Sequence, residues 1–257
     1  MRLHLYTLNR VHKVAHHRAP GRSLQVQTYL RGLARQIPRV RRSAVPCRRD
    51  RLLRLLEAMP RNGLPYLRDR MMALLMYFGA LTTSQLLTLT VEQLQFKRDH
   101  LALIGVGRRG KIIGRGAQLC PVEAVQMWLA ASGLRSGPLV RGLGGARLGG
   151  SRTFVSDLQT GRYTQAALWA LIRTWYGRAG LPLRGATVLS FRAGFAIDAY
   201  EAGVRVSEIV DHLDFAYTRH LLRYLRLLGT PLRPHDDVPL RRVRRVAWRM
   251  GYRPKGP

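Results

Sequence analysis

The stretch from Gln36 to Asp50 sets the organisation of this chain. It holds Pro38 and Pro46, a run of arginines and few apolar residues. Proline fixes φ and removes a backbone donor, so such a run reads as an exposed linker rather than as helix or sheet. A domain boundary belongs here. The sequence then divides into a short helical segment over residues 1–37, a basic linker over 38–50, one large domain over 51–228 and a basic tail over 229–257.

Before the linker, Leu3, Leu5, Leu8 and Val11 recur at helical spacing, which predicts a helix over Leu3–His17 that stops at Ala19-Pro20-Gly21. A second helix is expected over Ser23–Arg35, with Ser23 as N-cap. After the linker, Asp50 is placed to cap a helix over Arg51–Met59 that Pro60 ends. A strongly apolar helix follows over Tyr66–Phe78, then a short one over Ser84–Leu89. Leu101–Ile104 and Lys111–Ile113 read as strands around Gly105-Val106-Gly107-Arg108-Arg109-Gly110, a hairpin with a basic tip. Pro121 suits the first turn of a helix to Ala131. Residues 132–152 are rich in Gly and Arg and read as a loop. Their glycines do not form a phosphate cradle, because no strand runs into them and no helix start follows. A helix over Thr164–Ala179 precedes three that carry Arg192, Ser207–Leu213 and Tyr224. The tail ends on Arg241-Arg242-Val243-Arg244-Arg245-Val246-Ala247-Trp248-Arg249, a basic helix or arm. The fold class is mainly α with a small β-hairpin or sheet (α+β).

Charge narrows the partner. Among 257 residues, 44 are Lys or Arg and 14 are Asp or Glu, a net charge of +30, while apolar residues make up 46%. Such a chain has enough apolar side chains for a core and points to a polyanion, nucleic acid first. Lysine occurs only at 13, 97, 111 and 255, an arginine bias that a GC-rich genome also produces. Residues 1–49 lack Asp and Glu, as organelle transit peptides do; the helical spacing favours a DNA-facing helix pair. Cys47 and Cys120 match no metal-ligand spacing, so no metal or cofactor is expected and a reduced cytosolic compartment is the default. No apolar run reaches the ~18–20 residues of a membrane span.

The C-terminal half carries the informative string: Leu189-Ser190-Phe191-Arg192-Ala193-Gly194-Phe195-Ala196, then Leu213-Asp214-Phe215, then Arg223-Tyr224. It resembles the closing block of the tyrosine recombinases (phage-type integrases), His-x-x-Arg, Leu-Gly-His and Tyr. Leu67-Arg68-Asp69-Arg70 is similar to the opening of that family's catalytic domain. Leu81-Thr82-Thr83-Ser84-Gln85-Leu86 sits where the family has Gly-Leu-Arg-x-Ser-Glu-Leu, and Ile104–Lys111 where it has Gly-Lys-Gly-x-Lys-x-Arg. The likeness spans residues 1–228, with a shortened N-terminal core-binding part.

The resemblance implies DNA recombination or integration, with Tyr224 as nucleophile and Arg192 as a phosphate-clamping arginine. It also exposes losses. Thr82 stands where the family has its first arginine, Gln85 its acid, Val106 the hairpin lysine, Leu189 and Phe215 the two histidines. A phosphodiester under attack gains negative charge that fixed cations must stabilise, and a phosphate-directed arginine is worth roughly 10³–10⁵ in rate in other phosphoryl transfers. A tyrosine needs a base or positive surroundings to attack. Thr82, Val106, Leu189 and Phe215 supply none of this beyond a weak hydroxyl. Lys111, Arg108 and Arg109 on the hairpin, and His212 and His220 near Tyr224, are the available substitutes. Arg192 and Tyr224 also admit a plain reading, a buried tyrosine whose hydroxyl bonds a structural arginine.

DNA contacts follow from the same likeness. Arg39, Arg41, Arg42, Arg48 and Arg49 fit phosphate contacts along the linker, and Arg108, Arg109 and Lys111 fit others on the hairpin; a solvated basic face is the alternative. The expectation is a double-stranded-DNA-binding, nucleoid-associated protein of bacterial, phage or mobile-element origin, impaired in catalysis and acting as accessory or regulatory partner of an active recombinase. The resemblance implies oligomers on DNA, homo- or hetero-, with no membrane. Two alternatives stay open: an active recombinase using Tyr224 with non-standard phosphate ligands, and a basic nucleoid or ribonucleoprotein scaffold without site preference.

Overall fold

A computed structural model describes residues 2–36, 44–144 and 157–225. They fall into two compact units divided between Ser43 and Ala44. In the first, α1 (Arg2–Val14) and α2 (Leu24–Gln36) are joined by a 3₁₀ turn at Pro20–Arg22. Gly21 is the buried centre of that turn. Its N–H donates to Asn9 Oδ1 (2.8 Å) and its carbonyl accepts from the Gln27 side chain. Ser23 caps α2, its hydroxyl accepting from Val26 N at 3.4 Å. Leu8 and Val11, two of the four residues whose spacing gave α1, are exposed.

The second unit is built round α4 (Gly63–Phe78), in which Met71 through Met76 are all fully buried. It packs against α6 (Pro121–Ser132), α8 (Val188–Glu201), α3 (Arg49–Glu57) and α5 (Thr83–Thr88). A helix buried all round must satisfy its polar groups internally. Asp69 does so by accepting from Arg68 Nε (2.9 Å) and Nη2 (2.8 Å) with one oxygen and from Trp175 Nε1 (3.1 Å) with the other. That last bond ties α4 to α7 (Gln165–Arg178).

The sheet has three antiparallel strands in the order β1 (Leu94–Phe96), β2 (His100–Leu103), β3 (Lys111–Gly114). Leu101 pairs with Ile113 and Leu103 with Lys111, so alternate residues face inward. The sequence reading lacked β1, too short and polar to carry a period-2 signal. It also assigned 132–152 wholly to a loop, whereas β4 (Arg141–Gly144) pairs antiparallel with β5 (Asp157–Arg162). Strand β4, Arg-Gly-Leu-Gly, lacks the β-branched side chains that mark a strand.

Two further corrections concern the linker. Helix α3 begins at Arg49, not Arg51, and Asp50 lies in its first turn rather than capping it. The cap comes from far away, since Asp198 Oδ2 accepts from Arg49 N at 2.8 Å. Residues 44–48 are not a bare exposed run either. Cys47 is buried and its N–H donates to Ser190 O (2.8 Å), docking this strip on α8. The tip of the glycine- and arginine-rich stretch and the tail after Leu225 lie outside the described residues, as do Arg39, Arg41 and Arg42.

Candidate functional site

Arg192 lies in the middle of α8, where the packing of Phe191, Phe195 and Ala196 leaves it 3% exposed. Its guanidinium is a three-way tie. Nη1 donates to Ala80 O, Nη2 donates to Leu213 O at 2.7 Å, and the cation sits 5.5 Å from the Phe215 ring centroid. Nε is buried without a hydrogen-bond partner among the described residues. Burial pushes the guanidinium pKa down, and the Tyr224 phenol and Asp214 push it back up.

Both carbonyl anchors lie beside left-handed backbone: Ala80 itself has φ 45° and Asp214, next to Leu213, has φ 53°. Helix α9 (Val206–His212) ends in a paired closure, with Asp214 N donating to Asp211 O and Phe215 N to Val210 O, both at 3.0 Å. Such a closure wants a left-handed residue after the helix, usually glycine. Aspartate tolerates that conformation better than most residues.

The Asp214 carboxylate is the hub of the site. Oδ2 accepts from Gln85 Nε2 at 3.0 Å and forms an ion pair with Lys111 Nζ at 3.1 Å. Oδ1 accepts from Arg108 N at 3.3 Å. Lys111 is 4% exposed and also donates to His212 O. Burial pushes the Lys111 ammonium pKa down, against the opposing pull of Asp214. Gly107 has φ 72°, and a Cβ there would stand 2.1 Å from Asp214 Oδ2. Only glycine allows the hairpin tip to close on the carboxylate.

Thr82 and Gln85 form a capping box at the start of α5: Gln85 N donates to Thr82 Oγ1 (3.2 Å) and Thr82 N to Gln85 Oε1 (2.9 Å). The signature Thr-x-x-Gln stands in the sequence, though there both residues were read for what they lack. Val106 is buried at the hairpin, and Leu189 is half exposed on α8. Phe215 is partly buried, its ring centroid 5.7 Å from Tyr224 and 5.7 Å from His220. Tyr224 and His220 therefore share one face of α10 (Thr218–Leu225), and what they face is a phenyl ring. For His212, burial, with Lys111 nearby, pulls the pKa down to about 3, and Nε2 donates to Phe78 O at 2.7 Å.

The structure thus brings together Arg192, Phe215 and Tyr224, and joins Thr82, Gln85, Arg108 and Lys111 to them through Asp214. The remaining basic candidates are engaged differently. Arg48 binds Asp198 (2.7 Å) and Glu201, and Arg109 binds Asp211 (2.8 Å). Arg49 offers its backbone to Asp198, and its side chain has no hydrogen bond among the described residues. Sequence reasoning missed the acids. The one available signal for Asp214 was its place at the glycine of Leu-Gly-His.

No protein-family profile and no curated protein matches this sequence. Solved structures do match in fold. The XerH site-specific recombinase bound to palindromic difH substrate superposes with TM-score 0.54 at 14% identity over 72% of this chain and 51% of that one. The XerA recombinase gives 0.53 at 16% identity, covering 87% and 72%. The Tn1549 transposon integrase in complex with transposon right end DNA gives 0.52 at 16%, covering 75% and 64%. The chain spans about half the length of the XerH chain it matches. Its fold is that of the tyrosine recombinases and integrases. No helix among the described residues is long and apolar enough to cross a membrane.

Proposed function

We propose that this protein binds double-stranded DNA through a tyrosine recombinase fold whose strand-cleaving chemistry is impaired, and that it serves an active recombinase as accessory or regulatory partner. The observation that carries the reading is where the site's two buried cations, Arg192 and Lys111, are spent. Arg192 gives two of its three donor nitrogens to backbone carbonyls, and Lys111 is paired with Asp214. A transition-state phosphate needs such charges uncommitted and aimed at its oxygens. Phe215, beside Tyr224, offers neither base nor cation. The net charge of +30 supports DNA as the partner, as do fold neighbours solved with DNA substrates. Within this reading, residues 1–37 are a shortened core-binding segment, 38–50 a basic linker and 51–228 a catalytic-type domain.

Binding to a duplex, measured over a salt series, tests this. A log–log slope of several units is expected, each neutralised phosphate adding about −0.9. Footprinting on DNA flanking mobile elements is expected to give a discrete protected segment. Uniform protection at every sequence favours the plain basic scaffold instead.

A further inference from the structure

We propose that the Asp214 carboxylate occupies the anion position of this site and excludes a DNA phosphate from it. The inference rests on the DNA-binding reading above and goes beyond it by naming the excluding group. Three kinds of donor converge on one carboxylate, the Lys111 ammonium, the Gln85 amide and the Arg108 backbone N–H. A cation beside oriented N–H groups is the donor set that binds phosphate and sulfate in proteins. Arg192, whose Nη2 donates to the carbonyl of the adjoining Leu213, adds a second buried cation beside them. Together these groups describe an anion site, and the anion in it belongs to the chain.

Two features mark the arrangement as built rather than incidental. Asp214 takes a left-handed conformation, φ 53°, that glycine would take without strain. Gly107 supplies the clearance that lets the hairpin tip close over the carboxylate. A phosphodiester entering the site would meet a fixed negative charge already holding the donors it needs. DNA is then held by cations outside this position, and no phosphate comes within reach of Tyr224.

The experiment uses the full chain and three variants: Asp214→Asn, Asp214→Gly, which suits the backbone, and Asp214→Asn with Lys111→Gln. Urea unfolding first establishes that each folds. Two probes follow, a generic 30-base-pair duplex over a salt series and inorganic phosphate against chloride at equal ionic strength in thermal unfolding. Both single variants are expected to bind the duplex roughly tenfold more tightly at about 0.1 M salt, with a slope steeper by about 0.9, one further phosphate. Phosphate is expected to raise their melting temperature and leave the wild type unmoved, and the double variant is expected to lose both gains. Equal duplex slopes and equal phosphate responses in wild type and single variants overturn the proposal. A wild type that binds no duplex at all overturns the DNA reading instead, and the phosphate probe still decides the role of Asp214.

Discussion

Gly194→Ala is expected to be among the most destabilising single substitutions in this protein. Gly194 lies two residues after Arg192 in α8, where the backbone of the incoming strip crosses the helix. A Cβ there would stand 1.8 Å from Cys47 O, 2.3 Å from its carbonyl carbon and 2.8 Å from Arg48 N. Those atoms are backbone and cannot swing away as a side chain would. The same strip holds the Cys47–Ser190 hydrogen bond and the Arg48–Asp198 ion pair, so pushing it out breaks both. The cost falls among the largest for single substitutions, about 4 kcal/mol or more. For a domain of this size that is a drop of roughly 10 °C in melting temperature. Gly32→Ala is the control: no atom lies within 4 Å of a Cβ there, and it sits inside α2. Up to ~1 kcal/mol of helix stabilisation is expected from it. Thermal unfolding followed by circular dichroism separates the two outcomes.

Arg192→Ala is expected to be nearly as damaging, and it distinguishes a structural arginine from a phosphate ligand held in reserve. The guanidinium joins α8 to the loop after α4 and to the end of α9. Removing it leaves the Ala80 and Leu213 carbonyls without these donors in a buried site and opens a cavity beside Phe215. Breaking a buried charged contact of this kind costs about 3–5 kcal/mol. Arg192→Lys is expected to lose about 2 kcal/mol, because one ammonium cannot reproduce a planar fork that also stacks on a ring. Tyr224→Phe, which keeps the ring against Phe215, is expected to cost ~1 kcal/mol or less. An arginine kept only for phosphate would leave the unfolding free energy of Arg192→Ala, from urea titration, within ~0.5 kcal/mol of the wild type.

How much of this the sequence carries depends on the range of the interaction. The apolar run at Met71–Met76, the turn-flanked hairpin and Pro121 at a helix start are local signals, and the structure has α4, β2–β3 and α6 there. The order of Arg192, Leu213-Asp214-Phe215 and Tyr224 gave the fold through resemblance, although each residue alone is unremarkable. The start of α3 was misplaced by two residues because its cap, Asp198, lies 149 residues downstream. Strand β4, Arg-Gly-Leu-Gly, has no β-branched residue, and β5 has only Thr160. At the site, the missing histidines and lysine could be named from position alone. The contacts of Asp214 could not, since its donors come from α5, the hairpin tip and β3.

The central claim is that a recombinase fold here holds DNA without cutting it, and a nicked suicide substrate tests it most directly. A duplex taken from the footprinted segment, nicked beside the expected cleavage position, traps any tyrosine–phosphate linkage because the short leaving strand diffuses away. The account predicts DNA binding with no covalent protein–DNA adduct for the wild-type chain. An adduct that accumulates on Tyr224 and disappears in Tyr224→Phe would contradict it.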